Sequence, residues 1–154
     1  ANLAAACMER ATLREADLAA AELAMAAMAF ADLRKADLSY ADLRGVDLDR
    51  ATLNGANLAG ANLGPVKGIG QNQRTSPARL ERAKLIDTVM CDAILREAKL
   101  VGADFSGSDL RNADFRQADL RQANFAGADL TDANFAGAIL DGAILDGAKG
   151  APAA

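Results

Sequence analysis

The chain has 154 residues, 51% of them hydrophobic, 38 alanines included, and 17 basic against 21 acidic side chains give a net charge of -4. It contains no His and no Trp, which excludes histidine acid–base catalysis and His-ligated metal sites. A net negative charge gives no general attraction for nucleic acid or an anionic membrane, no apolar run reaches the length of a spanning helix, and two cysteines make no disulfide scaffold.

From the first residues the leucines keep a period of five. Leu3, Leu13, Leu18, Leu23, Leu33, Leu38, Leu43, Leu48, Leu53, Leu58 and Leu63 share one phase, with Met8 and Met28 filling the gaps. Two residues before each of these centres stands a small residue, nearly always Ala. Neither position carries a charge, so the pair reads as the inward-facing part of a unit Ala–(Asp/Asn)–Leu–x–x. A period of five fits neither a helix of 3.6 residues per turn nor the two-residue alternation of a strand. Each unit must therefore contain its own corner, and a short fixed repeat of this kind specifies a solenoid.

Within this first block, Ala19 to Phe30 is unusual. Its outward positions hold one charge, Glu22, and Met25 and Phe30 are the only Met and Phe out of phase. An exposed apolar patch of this sort marks an interaction surface. A helix is the competing reading, because alanine favours one, but Leu23 and Met28 keep the repeat phase.

The sequence GPVKGIGQNQRTSP at 64–77 breaks the series with two prolines, three glycines and a net charge of +2. It reads as a loop leaving the solenoid at a corner, dispensable for folding. Exposed loops on rigid scaffolds often carry recognition, so Lys67, Gln71, Asn72, Gln73 and Arg74 join Met25 and Phe30 as the candidate interaction surface.

A second block follows, centred on Leu80, Leu85, Met90, Leu95, Leu100, Phe105, Leu110, Phe115, Leu120, Phe125, Leu130, Phe135, Leu140 and Leu145. Here Thr88 and Ser108 take the small position, and outward Ile86, Val89, Ile94 and Val101 read as a second apolar cluster. Phenylalanines ten residues apart, and methionines at 8 and 28, stack like on like if each coil has four sides. Cys7 and Cys91 are outward thiols with no His to activate them. The domain expected is a single repeat unit over 1–150, built from blocks 1–63 and 78–147 with the insertion between them. A tail, 148–154, shows no capping pattern.

Runs such as ADLRKADLSYADLRGVDL at 31–48 and ADFRQADLRQANFAGADLTDANF at 113–135 resemble the pentapeptide-repeat family. The resemblance implies an all-β fold, a right-handed quadrilateral parallel β-helix of about seven coils interrupted by one loop. It also implies a non-enzymatic scaffold acting through protein–protein interaction, with no cofactor. The alternative it raises is a DNA mimic that binds DNA gyrase or topoisomerase, like the quinolone-resistance members. Asp17, Asp32, Asp37, Asp42, Asp47, Asp104, Asp109, Asp114, Asp119 and Asp129, each preceding a centre, would form the acidic ladder of such a mimic. A rod about 32 Å long imitating B-DNA would need roughly 19 negative charges, and interleaved arginines cancel most of those present. The same aspartates are otherwise expected to accept backbone hydrogen bonds at turns. The partner expected is another protein, with no direct nucleic-acid binding and no membrane span, and an end-to-end homodimer is the assembly considered. The compartment is cytoplasmic by default, and secreted, periplasmic or thylakoid-lumenal if a signal has been removed.

Overall fold

A computed structural model describes residues 1–68 and 74–153. The five-residue unit becomes one side of a coil. Isolated parallel bridges join Asn2 to Glu22, Cys7 to Ala27, Thr12 to Asp32 and Asp17 to Asp37, and the pattern continues along the chain. A spacing of 20 residues is four units per turn, so the solenoid is four-sided. We number the sides one to four from the units of Leu3, Met8, Leu13 and Leu18.

The backbone explains why the unit is five residues long. On side one, Leu23 N–H donates to the Asp42 carbonyl at 2.8 Å, Met25 N–H to the Arg44 carbonyl at 2.9 Å, and Asp42 N–H to the Ala21 carbonyl at 2.9 Å. A turn bond from Ala26 N–H to the Leu23 carbonyl, 3.0 Å, then folds the chain round the corner. The last residue of every unit except the one ending at Pro65, where the chain leaves for the insertion, turns through the left-handed region, with φ from +53° at Ala20 to +73° at Gly142. L-residues enter that region at a cost of about 1–2 kcal/mol. Nevertheless Met25, Phe30 and Tyr40 adopt it, because the ladder on either side fixes the corner. No helix forms over Ala19–Phe30, where the bridges run unbroken.

The centre residues and the small residues before them fill the rod. From Leu23 to Leu63 and from Leu80 to Leu130 the centres are fully buried. The phenylalanines stack in two columns on opposite sides: Phe105 on Phe125 at 5.1 Å and Phe115 on Phe135 at 5.0 Å, with edge-to-face contacts of 5.9 Å between the columns. Alanine is small because the narrow interior admits one large side chain per side. Burial of all the centres does not extend to the two ends of the ladder. Leu3, Met8, Leu13, Phe135, Leu140 and Leu145, in the first and last coils described, are only partly buried.

Thr88 and Ser108 lie one above the other on side four and are both buried. Thr88 N–H donates to the Ser108 hydroxyl at 3.0 Å, and the two hydroxyls sit 2.9 Å apart. Both hydroxyls also donate to the Leu85 carbonyl, at 3.0 Å from Thr88 and 2.6 Å from Ser108. In other units that carbonyl position accepts the turn N–H instead.

At the insertion the ladder continues with a changed spacing. Asp47 bridges Arg79, Thr52 bridges Lys84, Asn57 bridges Val89 and Asn62 bridges Ile94, each 32 residues apart, after which the spacing returns to 20. The chain thus leaves the corner after side one with twelve extra residues and re-enters in register. What reads in sequence as a loop holds an antiparallel hairpin of β1 (Val66–Lys67) and β2 (Thr75–Ser76), with Val66 opposite Ser76.

Candidate interaction surface

The outer surface is built largely from one device. The Asp or Asn before each centre turns its side-chain oxygen onto the backbone N–H two residues on, as Asp37 does to Ser39 (3.0 Å) and Asn57 to Ala59 (3.1 Å). Where the unit reads Asp–Leu–Arg or Asp–Phe–Arg, the arginine returns to the same carboxylate in a bidentate pair. Arg44 Nε and Nη2 reach the two oxygens of Asp42 at 2.8 and 2.7 Å. Arg34–Asp32, Arg111–Asp109, Arg116–Asp114 and Arg121–Asp119 repeat this geometry. The arginine hydrogen bonds hold the Asp42, Asp109 and Asp119 carboxyls below the usual carboxylate range. Two carboxylates serve two arginines each: Arg14 also reaches Asp32, and Arg96 also reaches Asp114.

Cancellation is uneven around the rod. Side four and its turn carry Asp17, Asp37, Asp92, Asp109, Asp129 and Asp132 against Arg111 and Lys149. That side alone therefore holds a net charge equal to the -4 of the whole chain.

The corner after side one is different in kind. The hairpin is seated on Gly45, where an added Cβ would lie 2.5 Å from Met25 Sδ, 3.1 Å from Val66 Cγ2 and 3.2 Å from the Ser76 carbonyl. Met25, 45% exposed, shares the space above Gly45 with Val66 although 40 residues separate the two. The next corner carries Phe30, with the Arg10 guanidinium 4.8 Å and the Arg50 guanidinium 5.7 Å from its ring centroid. Lys67 and Arg74 are exposed on the hairpin, while Gln71, Asn72 and Gln73 lie outside the described residues. The structure thus brings Met25 to the hairpin and puts Phe30 on the adjacent corner between two cations.

Ile86, Val89, Ile94 and Val101 do not form the single apolar cluster read from the sequence. They belong to four successive units and therefore to four different sides, a belt round one coil. Cys7 on side two and Cys91 after side four are both free.

Sequence reasoning passed over two shallow clefts on the hairpin corner. One, of about 350 Å³, lies at the hairpin base against Thr75, Pro77 and Lys99. The other, of about 420 Å³, continues along the corner past Arg96, Arg116 and Gly137. Glu97 and Gln117 line both.

A family model for pentapeptide repeats matches eight copies, over residues 28–64, 78–112 and 108–147. The chain belongs to the pentapeptide-repeat family. Among solved structures it is similar to the pentapeptide-repeat protein Rfr23 of the cyanobacterium Cyanothece 51142, at 35% identity and a TM-score of 0.55. That match covers 64% of this chain and 58% of Rfr23, less than two thirds of its length. HetL of Nostoc sp. strain PCC 7120, a pentapeptide-repeat protein involved in heterocyst differentiation regulation, is 30% identical over 93% of this chain and 82% of its own, with a TM-score of 0.32. A trypsin-treated form of QnrB1, a plasmid-mediated fluoroquinolone resistance protein, is 28% identical over 89% of this chain and 63% of its own, with a TM-score of 0.44. No curated protein matches. Among the described residues no helix is long and apolar enough to cross a membrane.

Proposed function

We propose that this pentapeptide-repeat protein is a non-enzymatic scaffold, a single repeat domain forming a right-handed rod of about seven coils, which binds another protein. The hairpin on the corner after side one carries the reading. The sides consume their backbone donors and acceptors in the ladder and pair much of their own charge. The hairpin with Met25, and Phe30 on the next corner, are among the places where the outer surface departs from that regularity.

The second reading, a gyrase-binding DNA mimic, has side four in its favour. Its charge is small for the role. About 32 Å of B-DNA carries roughly 19 phosphates, about half of them on one face, against six carboxylates and two cations here. A gyrase supercoiling assay separates the two. The scaffold reading expects supercoiling to proceed unchanged at stoichiometric protein. Inhibition that disappears when Asp37 and Asp129 are changed to Lys replaces it with the mimic.

A further inference from the structure

We infer that the two joined clefts on the hairpin corner bind an extended acidic segment of a partner protein. This rests on the scaffold reading and names the surface and the partner chemistry.

The argument starts from charge. The chain is acidic overall, yet this corner gathers Arg96, Lys99 and Arg116 along the rod, with Lys67 and Arg74 on the hairpin above. Lys67, Arg74 and Lys99 make no ion pair among the described residues, and Arg96 and Arg116 share the single carboxylate of Asp114. Glu97 is the one acid lining the clefts. The surplus is positive, and it lies away from the acidic side four.

Shape and hydrogen bonding narrow the occupant. Glu97 and Gln117 follow one another up the corner, where Glu97 N–H donates to the Arg116 carbonyl and Gln117 N–H to the Ala136 carbonyl, both at 3.0 Å. These backbone groups are spent, so at Glu97 and Gln117 an incoming strand finds no free N–H for ladder pairing. Recognition falls to side chains, and those offered are cations. Three coils at about 4.8 Å give a track of about 14 Å, room for four or five residues in extended form. The described cleft residues include no aromatic side chain on which a base would stack, and the acidic side four repels a long polyanion. An acidic peptide therefore fits better than a nucleic acid.

The test uses the full chain and a fluorescein-labelled Glu-Ser peptide of about ten residues, read by fluorescence anisotropy. Saturable binding is expected at about 0.05 M salt and should weaken several-fold at about 0.3 M. Lys99→Glu and the near-isosteric Gln117→Glu should each weaken it by about tenfold while leaving the thermal melt in place. Lys35→Glu, on the diagonally opposite corner, should change it by less than about twofold. No saturation up to about 1 mM peptide, equal binding of a Gln-Ser peptide, or indifference to both cleft variants overturns the proposal. So does binding of a ten-residue oligo-dT as tight as that of the Glu-Ser peptide. Gyrase inhibition with the peptide result intact removes the scaffold reading and keeps the cleft. Unchanged supercoiling with no peptide binding removes only the cleft.

Discussion

The Thr88–Ser108 pair makes a sharp test of how the small position works. In Ser108→Ala, Thr88 N–H loses its acceptor. If the Thr88 hydroxyl's bond to the Leu85 carbonyl keeps the residue-88 N–H out of the turn bond, a buried donor is orphaned at a cost of about 1–3 kcal/mol. In Thr88→Ala, the Ser108 hydroxyl still accepts the residue-88 N–H and still donates to the Leu85 carbonyl. The Thr88 methyl and its hydroxyl's bond to the Leu85 carbonyl are lost, about 1–2 kcal/mol. With both changed to Ala, the site has the composition found at 24 of the 27 units. The freed Leu85 carbonyl can then take the ordinary turn bond, as the Leu80 carbonyl does from Ala83 N–H at 3.1 Å. The double variant should be no less stable than Ser108→Ala alone. The coupling should be about 1–2 kcal/mol, well beyond the few tenths expected of independent sites. Urea denaturation of the four proteins measures it from midpoints at constant slope. Additive costs would mean that the hydroxyl pair is not a substitute for the turn bond and that the reasoning is wrong.

Four further outcomes are expected. Leu43→Asp should abolish cooperative melting by circular dichroism, because Leu43 is fully buried and an unpaired buried carboxylate costs several kcal/mol. Gly45→Ala should loosen the hairpin more than the rod, raising hydrogen exchange at the Gly68 amide that donates to the Arg74 carbonyl, since its Cβ would collide with Met25 and Val66. Replacing 64–77 by a short Gly-Ser link should leave one thermal transition, because the bridges from Asp47 to Arg79 through Asn62 to Ile94 cross the insertion; two transitions would mean two domains. Asp42, Asp109 and Asp119 have folded pKa values below their ordinary ones, so their stabilisation is present above about pH 4 and is lost as pH falls further. Arg44→Gln, Arg111→Gln and Arg121→Gln together should flatten that acid limb in melts taken from neutral pH downward.

The rod was legible because its determinants are local and repeated. One phase of leucines fixes which residues point inward, and spacings of ten and twenty in Phe and Met fix four sides. The bidentate pairs were half visible, since Asp–Leu–Arg places its charged residues two apart, on one face of an extended segment, and that triplet recurs. The Phe30 sandwich was missed although Arg10, Phe30 and Arg50 stand 20 apart, the coil period itself. Side four's charge was missed because the 32-residue spacing across the insertion has to be known before residues can be sorted by side. The hairpin's seat had no sequence signature. Two strands of two residues are too short for a pattern, and Met25, Gly45 and Val66 meet only once the coil has brought the first two together and the chain has left the corner above them.

These misses share a physical origin that also bears on function. A unit that satisfies its own turn with Asp or Asn, and its own carboxylate with Arg, has little left with which to select a partner. Repeating it makes a stiff rod whose sides resemble one another, and stiffness without selectivity is a frame. Selectivity has to come from positions that break the unit: an apolar residue where the turn usually carries polar or small ones, as at Met25, or a segment outside the period, as in the hairpin. Such positions are few, and the four-sided coil gathers those around the hairpin on one corner by stacking residues 20 apart within about 5 Å of one another. The insertion leaves and re-enters with the ladder intact, so that corner is altered while every bridge across it is kept.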